Sequence, residues 1–147
     1  EVVPPSCFDA AVCILAIQNI DPIEPVMSGV GRVVQPGGRL VLVMNHQSFR
    51  IPRQSAWGWD EERKLVYRRV DRYLTPMKIP IQTHPGSKPG LVTWTFHRPL
   101  QHYVRALADA GLWVNALEEW TSNKVSQPGA RAKATPRRWR PAPRTTA

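Results

Sequence analysis

Residues 8–17, Phe8-Asp9-Ala10-Ala11-Val12-Cys13-Ile14-Leu15-Ala16-Ile17, form a near-continuous apolar run that Gln18 and Asn19 close. A run without polar alternation predicts a strand covered on both faces, as in a parallel sheet. A helix start follows at once. Asp21 can cap, Pro22 suits the first helical position and Glu24 completes a capping box. Apolar residues then recur at Ile23, Val26, Met27, Val30, Val33 and Val34, one face of a helix. Gly29 and Gly31 weaken this helix without breaking its period. Pro36-Gly37-Gly38 ends it in a tight turn, and Arg39–Asn45 reads as a second buried strand. Strand, helix, turn and strand in close succession make a βαβ unit, with the right-handed parallel crossover such units adopt.

The pattern changes over residues 47–92, which are Pro-rich, aromatic and mixed in charge. Asp60–Leu74 predicts a helix with Val66, Val70, Tyr73 and Leu74 on one side and basic residues opposite. Ser48–Trp59 and Thr75–Gly90 read as ordered loops around it. Trp57, Trp59 and Trp94 are costly to leave in solvent, so this insertion is expected to pack over something. Its place after a strand's carboxyl end suits a substrate cover. Leu91–Phe96 then predicts a short strand. Pro99 opens an amphipathic helix with Leu100, Tyr103, Val104, Leu107 and Ala108 on one face, stopped by Gly111. Leu112–Leu117 predicts a further strand, and Thr135–Ala147 a disordered Pro-, Arg- and Thr-rich tail.

Charge sharpens this division. The net charge of +9 invites a nucleic-acid reading. Yet residues 1–123 hold thirteen Lys and Arg against all eleven acids, while the seven basic residues from Lys124 onward meet no acid. The basicity belongs to the tail, where it serves either as a solvated terminus or as a non-specific phosphate binder. The longest apolar run is of strand length, so no membrane span is expected. Two cysteines, Cys7 and Cys13, show no disulfide or zinc spacing, which points to a reducing, cytoplasmic setting. The chain opens at Glu1 without Met, so it is expected to begin inside a longer protein or after a cleavage.

In this order, several pieces resemble class I S-adenosylmethionine-dependent methyltransferases, in particular the methyltransferase type 11-like domain. Phe8-Asp9, the apolar strand and Asn19-Ile20-Asp21 resemble that family's fourth strand and the turn after it. Gly31-Arg32-Val33-Val34-Gln35-Pro36-Gly37-Gly38-Arg39-Leu40 resembles its helix-to-strand turn before the fifth strand. His97-Arg98-Pro99-Leu100, with Tyr103, Leu107 and Ala110-Gly111-Leu112, is similar to its late helix and strand. Asn45–Trp59 and Ser126-Gln127-Pro128-Gly129 resemble a branch that acts on small molecules. The resemblance covers residues 8–134. It implies an α/β, Rossmann-like, mainly parallel sheet with helices on both faces, and S-adenosylmethionine as cofactor. Residues 1–134 would then be a partial methyltransferase domain with 47–92 as its insertion. The family's first strand, its Gly-rich loop, its acidic ribose-binding residue and its closing strand have no counterpart here. The expectation is therefore a truncated domain that is inactive alone.

Methyl transfer from a sulfonium is an in-line displacement for which an enzyme supplies mainly proximity and orientation. In open α/β sheets ligands sit beyond the carboxyl ends of the strands, so Ala16, Ile17, Gln18 and Asn19 are expected to line the cofactor cleft. The plainer alternative is that Asn19 only caps the following helix. His46 lies at the end of the second strand and is the candidate base or hydrogen-bond donor toward substrate. Its alternative is a histidine packed under the insertion. Arg50 and Arg53 could hold an acidic group of a small-molecule substrate, and His97 completes the candidate substrate set. The four histidines lack metal-ligand spacing, and no Gly-x-Ser-x-Gly elbow is present, so neither metal nor acyl-enzyme chemistry is expected. Two other readings share these features: a non-catalytic α/β module with a nucleic-acid-binding tail, and a fragment of a different dinucleotide-type enzyme such as a dehydrogenase.

Overall fold

The computed structural model describes residues 3–49, 51, 54–82 and 92–121. The predicted βαβ unit is present. Strand β1 (Phe8–Ile14) leads through a 3-10 turn (Ile17–Asn19) to helix α1 (Glu24–Val33) and strand β2 (Val34–Val43), which lies parallel to β1. Strand β1 stops at Ile14, earlier than the apolar run suggests. Leu15 takes a left-handed φ of 51° and turns the chain out of the ladder. Helix α1 starts at Glu24 and not at Pro22, and no side chain caps it. The Asp21 carboxylate, expected as the cap, is instead taken by Arg98.

The Pro36-Gly37-Gly38 turn lies inside the ladder of β2. Phe8 pairs with Val34 and Ala10 with Arg39, so the segment between them bulges out of register. Gly37 carries a φ of +81°, and a Cβ on Gly38 would lie 2.7 Å from the Asp9 carbonyl oxygen. Only glycine permits that approach of the two backbones. Gly31, which looked like a weakness of α1, faces the second helix. A Cβ there would come within 2.3 Å of the Ala110 carbonyl oxygen.

Four of the sequence-based assignments differ beyond β2, the first being the supposed loop at 48–59, whose later part is a strand. Residues 60–74 form no helix. Strands β3 (Ser55–Asp60) and β4 (Leu65–Val70) pair as an antiparallel hairpin. Asp60 accepts the Arg63 N–H at 2.9 Å, and Lys64 adopts a left-handed φ of 54°, so the charged Asp60–Lys64 stretch is a turn. The supposed loop at 75–90 contains strand β5 (Met77–Gln82), antiparallel to β6 (Val92–His97). Pro80 lies within β5, which has only one ladder neighbour among the described residues, where proline is tolerated. Leu112–Leu117 joins no ladder, and Trp113, Leu117 and Trp120 are exposed. Of the three ladders, one is parallel. The tail at 135–147, and with it Ser126–Gly129, lies outside the described residues.

Helix α2 (Leu100–Asp109) matches its predicted start. It closes as a Schellman motif, with Gly111 N–H on Ala108 at 2.9 Å and Leu112 N–H on Leu107 at 2.9 Å. Its buried side is Tyr103 and Ala106, with Leu107 and Ala110 beside them, whereas Val104 is exposed. These residues and Ile17, Ile23 and Met27 make the core, against which Cys13, Leu40, Leu42 and Met44 pack from one face of the β1–β2 pair. The opposite face is open, with Val12 and Ile14 each 62% exposed and Val41 45%. The strands read as covered on both sides are thus covered on one. Trp57 and Trp94 are also exposed, each partly covered by a cation, Arg68 at 5.1 Å and Lys78 at 4.4 Å from the ring.

Two outcomes follow from this packing. The buried Tyr103 hydroxyl has no hydrogen-bond partner among the described residues. An unsatisfied buried hydroxyl costs about 1–3 kcal/mol, so Tyr103→Phe should leave the melting temperature unchanged or raise it. A clear drop in a thermal melt would show that the hydroxyl is bonded in solution. Glu24 of α1 and His102 of α2 meet at 2.7 Å. That hydrogen bond, followed by the Glu24 backbone N–H, holds the Glu24 carboxyl below its ordinary value. The folded state therefore favours the ionised form, and its contribution is present above the ordinary carboxylate value of 4.5 and lost as pH falls below it. Both groups are solvated, so the effect is about 0.5 kcal/mol. Chemical denaturation at pH 6 and pH 3.5 should show wild type ahead of Glu24→Gln only at the higher pH.

Candidate functional site

Strands β1 and β2 end side by side, and the residues beyond their carboxyl ends face the β5–β6 hairpin across a cleft of about 300 Å³. Gln18 and Asn19 come from the 3-10 turn, Asn45 and Gln47 from the segment after β2, and Thr93, Thr95, Phe96 and His97 from β6. Ile81 of β5 completes the lining.

Leu15 makes the turn into this site. A left-handed leucine costs about 1–2 kcal/mol, and the conformation is held from both sides. Its N–H donates to Val43 at 2.8 Å and its carbonyl accepts the Gln18 amide nitrogen at 2.6 Å. Gln18 is 9% exposed, and its Oε1 has no partner among the described residues. The Thr95 hydroxyl donates to the Gln18 carbonyl at 3.3 Å, which ties β6 to the turn. Arg98, 3% exposed, donates through Nη2 to the Ile20 carbonyl at 2.7 Å and to the Asp21 carboxylate. His97 donates from Nε2 to the Tyr73 carbonyl at 2.7 Å. A carbonyl only accepts, so the proton on that ring is on Nε2 and Nδ1 is the free acceptor of the neutral form.

The structure separates the sequence candidates. Gln18, Asn19 and His97 come together at the cleft. Ala16 does not line it, and the Ile17 side chain is wholly buried in the core. His46 does not line the cleft, although its chain neighbours Asn45 and Gln47 do. Its Nδ1 accepts the Ser48 N–H at 3.1 Å, its Nε2 pairs with Glu119, and its ring sits 4.5 Å from Phe49. With both nitrogens engaged it ties the segment after α2 to the end of β2. Arg50 and Arg53 lie outside the described residues. The sequence reading missed Asn45, Gln47, Ile81, Thr93, Thr95 and Phe96. Thr93, Thr95 and His97 alternate along one strand, a period-2 signal that was legible.

No helix among the described residues is long and apolar enough to cross a membrane, and none of their His, Cys, Asp and Glu side chains cluster in threes. No protein-family model matches the chain, and no curated protein matches it by sequence. Solved structures do match. An S-adenosylmethionine dependent methyltransferase from Mesorhizobium loti superposes with a TM-score of 0.64 at 25% identity, over 80% of this chain and 51% of that one. A candidate S-adenosylmethionine dependent methyltransferase from Listeria monocytogenes gives 0.58 at 21% identity, over 75% of this chain and 49% of that one. The chain thus spans about half the length of the structures it matches. Over that half it carries their Rossmann-like α/β fold.

Proposed function

We propose that this chain supplies the acceptor-facing half of an S-adenosylmethionine-dependent methyl-transfer site, acting on a small molecule. The observation that carries this reading is the position of the cleft. It opens beyond the carboxyl ends of two adjacent parallel strands, where ligands of open α/β sheets bind. It does so in a fold shared with methyltransferases of about twice the length.

The residues fit the reactive end of the cofactor. No side chain of the lining is an acid, lysine or arginine, so nothing there competes with or repels a cationic sulfur, and the lining is mainly uncharged amides and hydroxyls. When bound, the cofactor supplies an electrophilic methyl on a cationic sulfur. Gln18 and Asn19 would hold that end, and Thr93, Thr95 and His97 would orient the acceptor across from it. A displacement of this kind needs no protein nucleophile, so the work of these residues is alignment. No lining residue provides a carboxylate for ribose hydroxyls, so the grip on the nucleoside must come from outside this cleft. The isolated chain is accordingly proposed to be inactive. Both cysteines are free thiols, with Cys7 exposed, consistent with the proposed reducing cytoplasmic setting.

Titrating the labelled chain with S-adenosylhomocysteine tests this. Amide shifts should move at Gln18, Asn19, Asn45 and Thr93–His97, with weak affinity, and no tritium should pass from labelled S-adenosylmethionine to added small-molecule acceptors. An unperturbed spectrum at millimolar ligand, or shifts confined to residues away from the cleft, would overturn the proposal.

A further inference from the structure

Alignment alone leaves one atom of the methyl transfer without a destination. Methylation of a neutral acceptor X–H forms the X–C bond and breaks the C–S bond, whose electron pair goes to sulfur. The proton on X must then leave, and the positive charge first carried by sulfur ends on whatever group takes it. Eight of the nine side chains that line the cleft are amides, hydroxyls or hydrocarbons. His97 is the ninth, and the only one able to accept a proton near neutrality.

The strand directs this side chain to the site. Side chains alternate along β6, so Thr93, Thr95 and His97 share a face. The Thr95 hydroxyl, bonded to the Gln18 carbonyl, marks that face as the one turned to the 3-10 turn. Ile81, which pairs with Thr93, lines the cleft from the neighbouring strand.

The ring is also held in one tautomer. Its Nε2–H donates to the Tyr73 carbonyl at 2.7 Å, which leaves Nδ1 as the basic nitrogen. No described residue donates to Nδ1, and this atom is not one of the side-chain atoms sealed from solvent without a partner. The other histidines among the described residues are differently engaged. His46 has Ser48 on Nδ1 and Glu119 on Nε2, and His102 is bound to Glu24.

We propose that His97 is the general base of the cleft. Its Nδ1 takes the proton of a neutral hydroxyl or N–H acceptor as the methyl is transferred, and the imidazolium so formed keeps its Nε2–H on the Tyr73 carbonyl. The acceptor class follows from the base: a carboxylate or thiolate has no proton to lose and needs none. The role in transfer rests on the methyl-transfer reading.

Ring-nitrogen NMR of the 147-residue chain tests this without turnover. The His97 signal is assigned by its loss in His97→Gln, whose amide nitrogen can keep the bond to Tyr73 while the basic nitrogen is removed. At about pH 8, where an ordinary imidazole is neutral, the free chain should show His97 protonated at Nε2. Millimolar phenol should shift the Nδ1 resonance, whereas anisole, which cannot donate, should leave it in place. Phenol should bind about five-fold more tightly than anisole, the worth of one hydrogen bond, and His97→Gln should bring the two to parity. Should that variant fail to fold, the wild-type shifts decide alone. A ring protonated at Nδ1, or an Nδ1 resonance that phenol leaves unmoved, would overturn the proposal. The two readings fail separately. S-adenosylhomocysteine binding without an Nδ1 response removes the base and leaves the methyl-transfer reading, whereas an Nδ1 response without S-adenosylhomocysteine binding leaves His97 an acceptor for hydroxyls and removes methyl transfer.

Discussion

Arg98 reaches from the junction of β6 and α2 to the segment that follows the 3-10 turn, where it meets the Ile20 carbonyl and the Asp21 carboxylate. Its side chain is almost fully buried, so the guanidinium has to find partners inside the protein. Removing one partner of a fully buried pair costs about 3–5 kcal/mol, and somewhat less here because Asp21 is half exposed. The tie joins the βαβ unit to the late strand and helix, elements nearly eighty residues apart in the chain. Five of the groups in the cleft lie on the two segments it joins. Gln18 and Asn19 sit just before Ile20, and Thr93, Thr95 and His97 sit just before Arg98. His97 extends the brace to Tyr73, whose hydroxyl in turn accepts the Leu100 N–H at 3.0 Å.

Around this brace the core is small and one-sided. Ile17, Ile23, Met27, Tyr103 and Ala106 fill the space between the two helices and one face of β1–β2. The other face presents Val12, Ile14 and Val41 to solvent, and the structures that match this chain are about twice its length. A helix pair thus covers one side of the β1–β2 pair, and the other side is an open apolar face. The cleft lies at the strand ends rather than on either face.

The local chemistry of the βαβ unit was readable from spacing. An unbroken apolar run, a helical apolar period and a Pro-Gly-Gly turn led to two parallel strands and a helix. The late helix and its glycine stop were equally plain. Residues 55–82 were not. Leu65–Val70 fits either a helix face or an alternating strand, and a short apolar segment cannot decide between them. The Asx turn at Asp60 and the left-handed Lys64 decide for a hairpin. Strand β5 was missed because residues 75–90 read as a Pro-rich loop; Pro80 fits within β5 because that strand borders only one neighbour among the described residues. Leu112–Leu117 had a strand's composition without a ladder partner, and strand composition alone does not satisfy a backbone.

The site divides in the same way. The sequence by itself placed Gln18 and Asn19 beyond the apolar run that forms a parallel strand, although β1 ends at Ile14 and the two residues sit in the 3-10 turn after it. It also determined that the body of the chain is nearly neutral. Tertiary structure decided which candidates meet. It drew Ile17 into the core, engaged both nitrogens of His46 with Glu119 and the following loop, and set Thr93, Thr95 and His97 opposite Gln18. The physical reason is that spacing along a chain reports which side of an element a residue occupies. Which residues meet at the strand ends depends on contacts such as Thr95 with Gln18 and Arg98 with Ile20, which join segments nearly eighty residues apart.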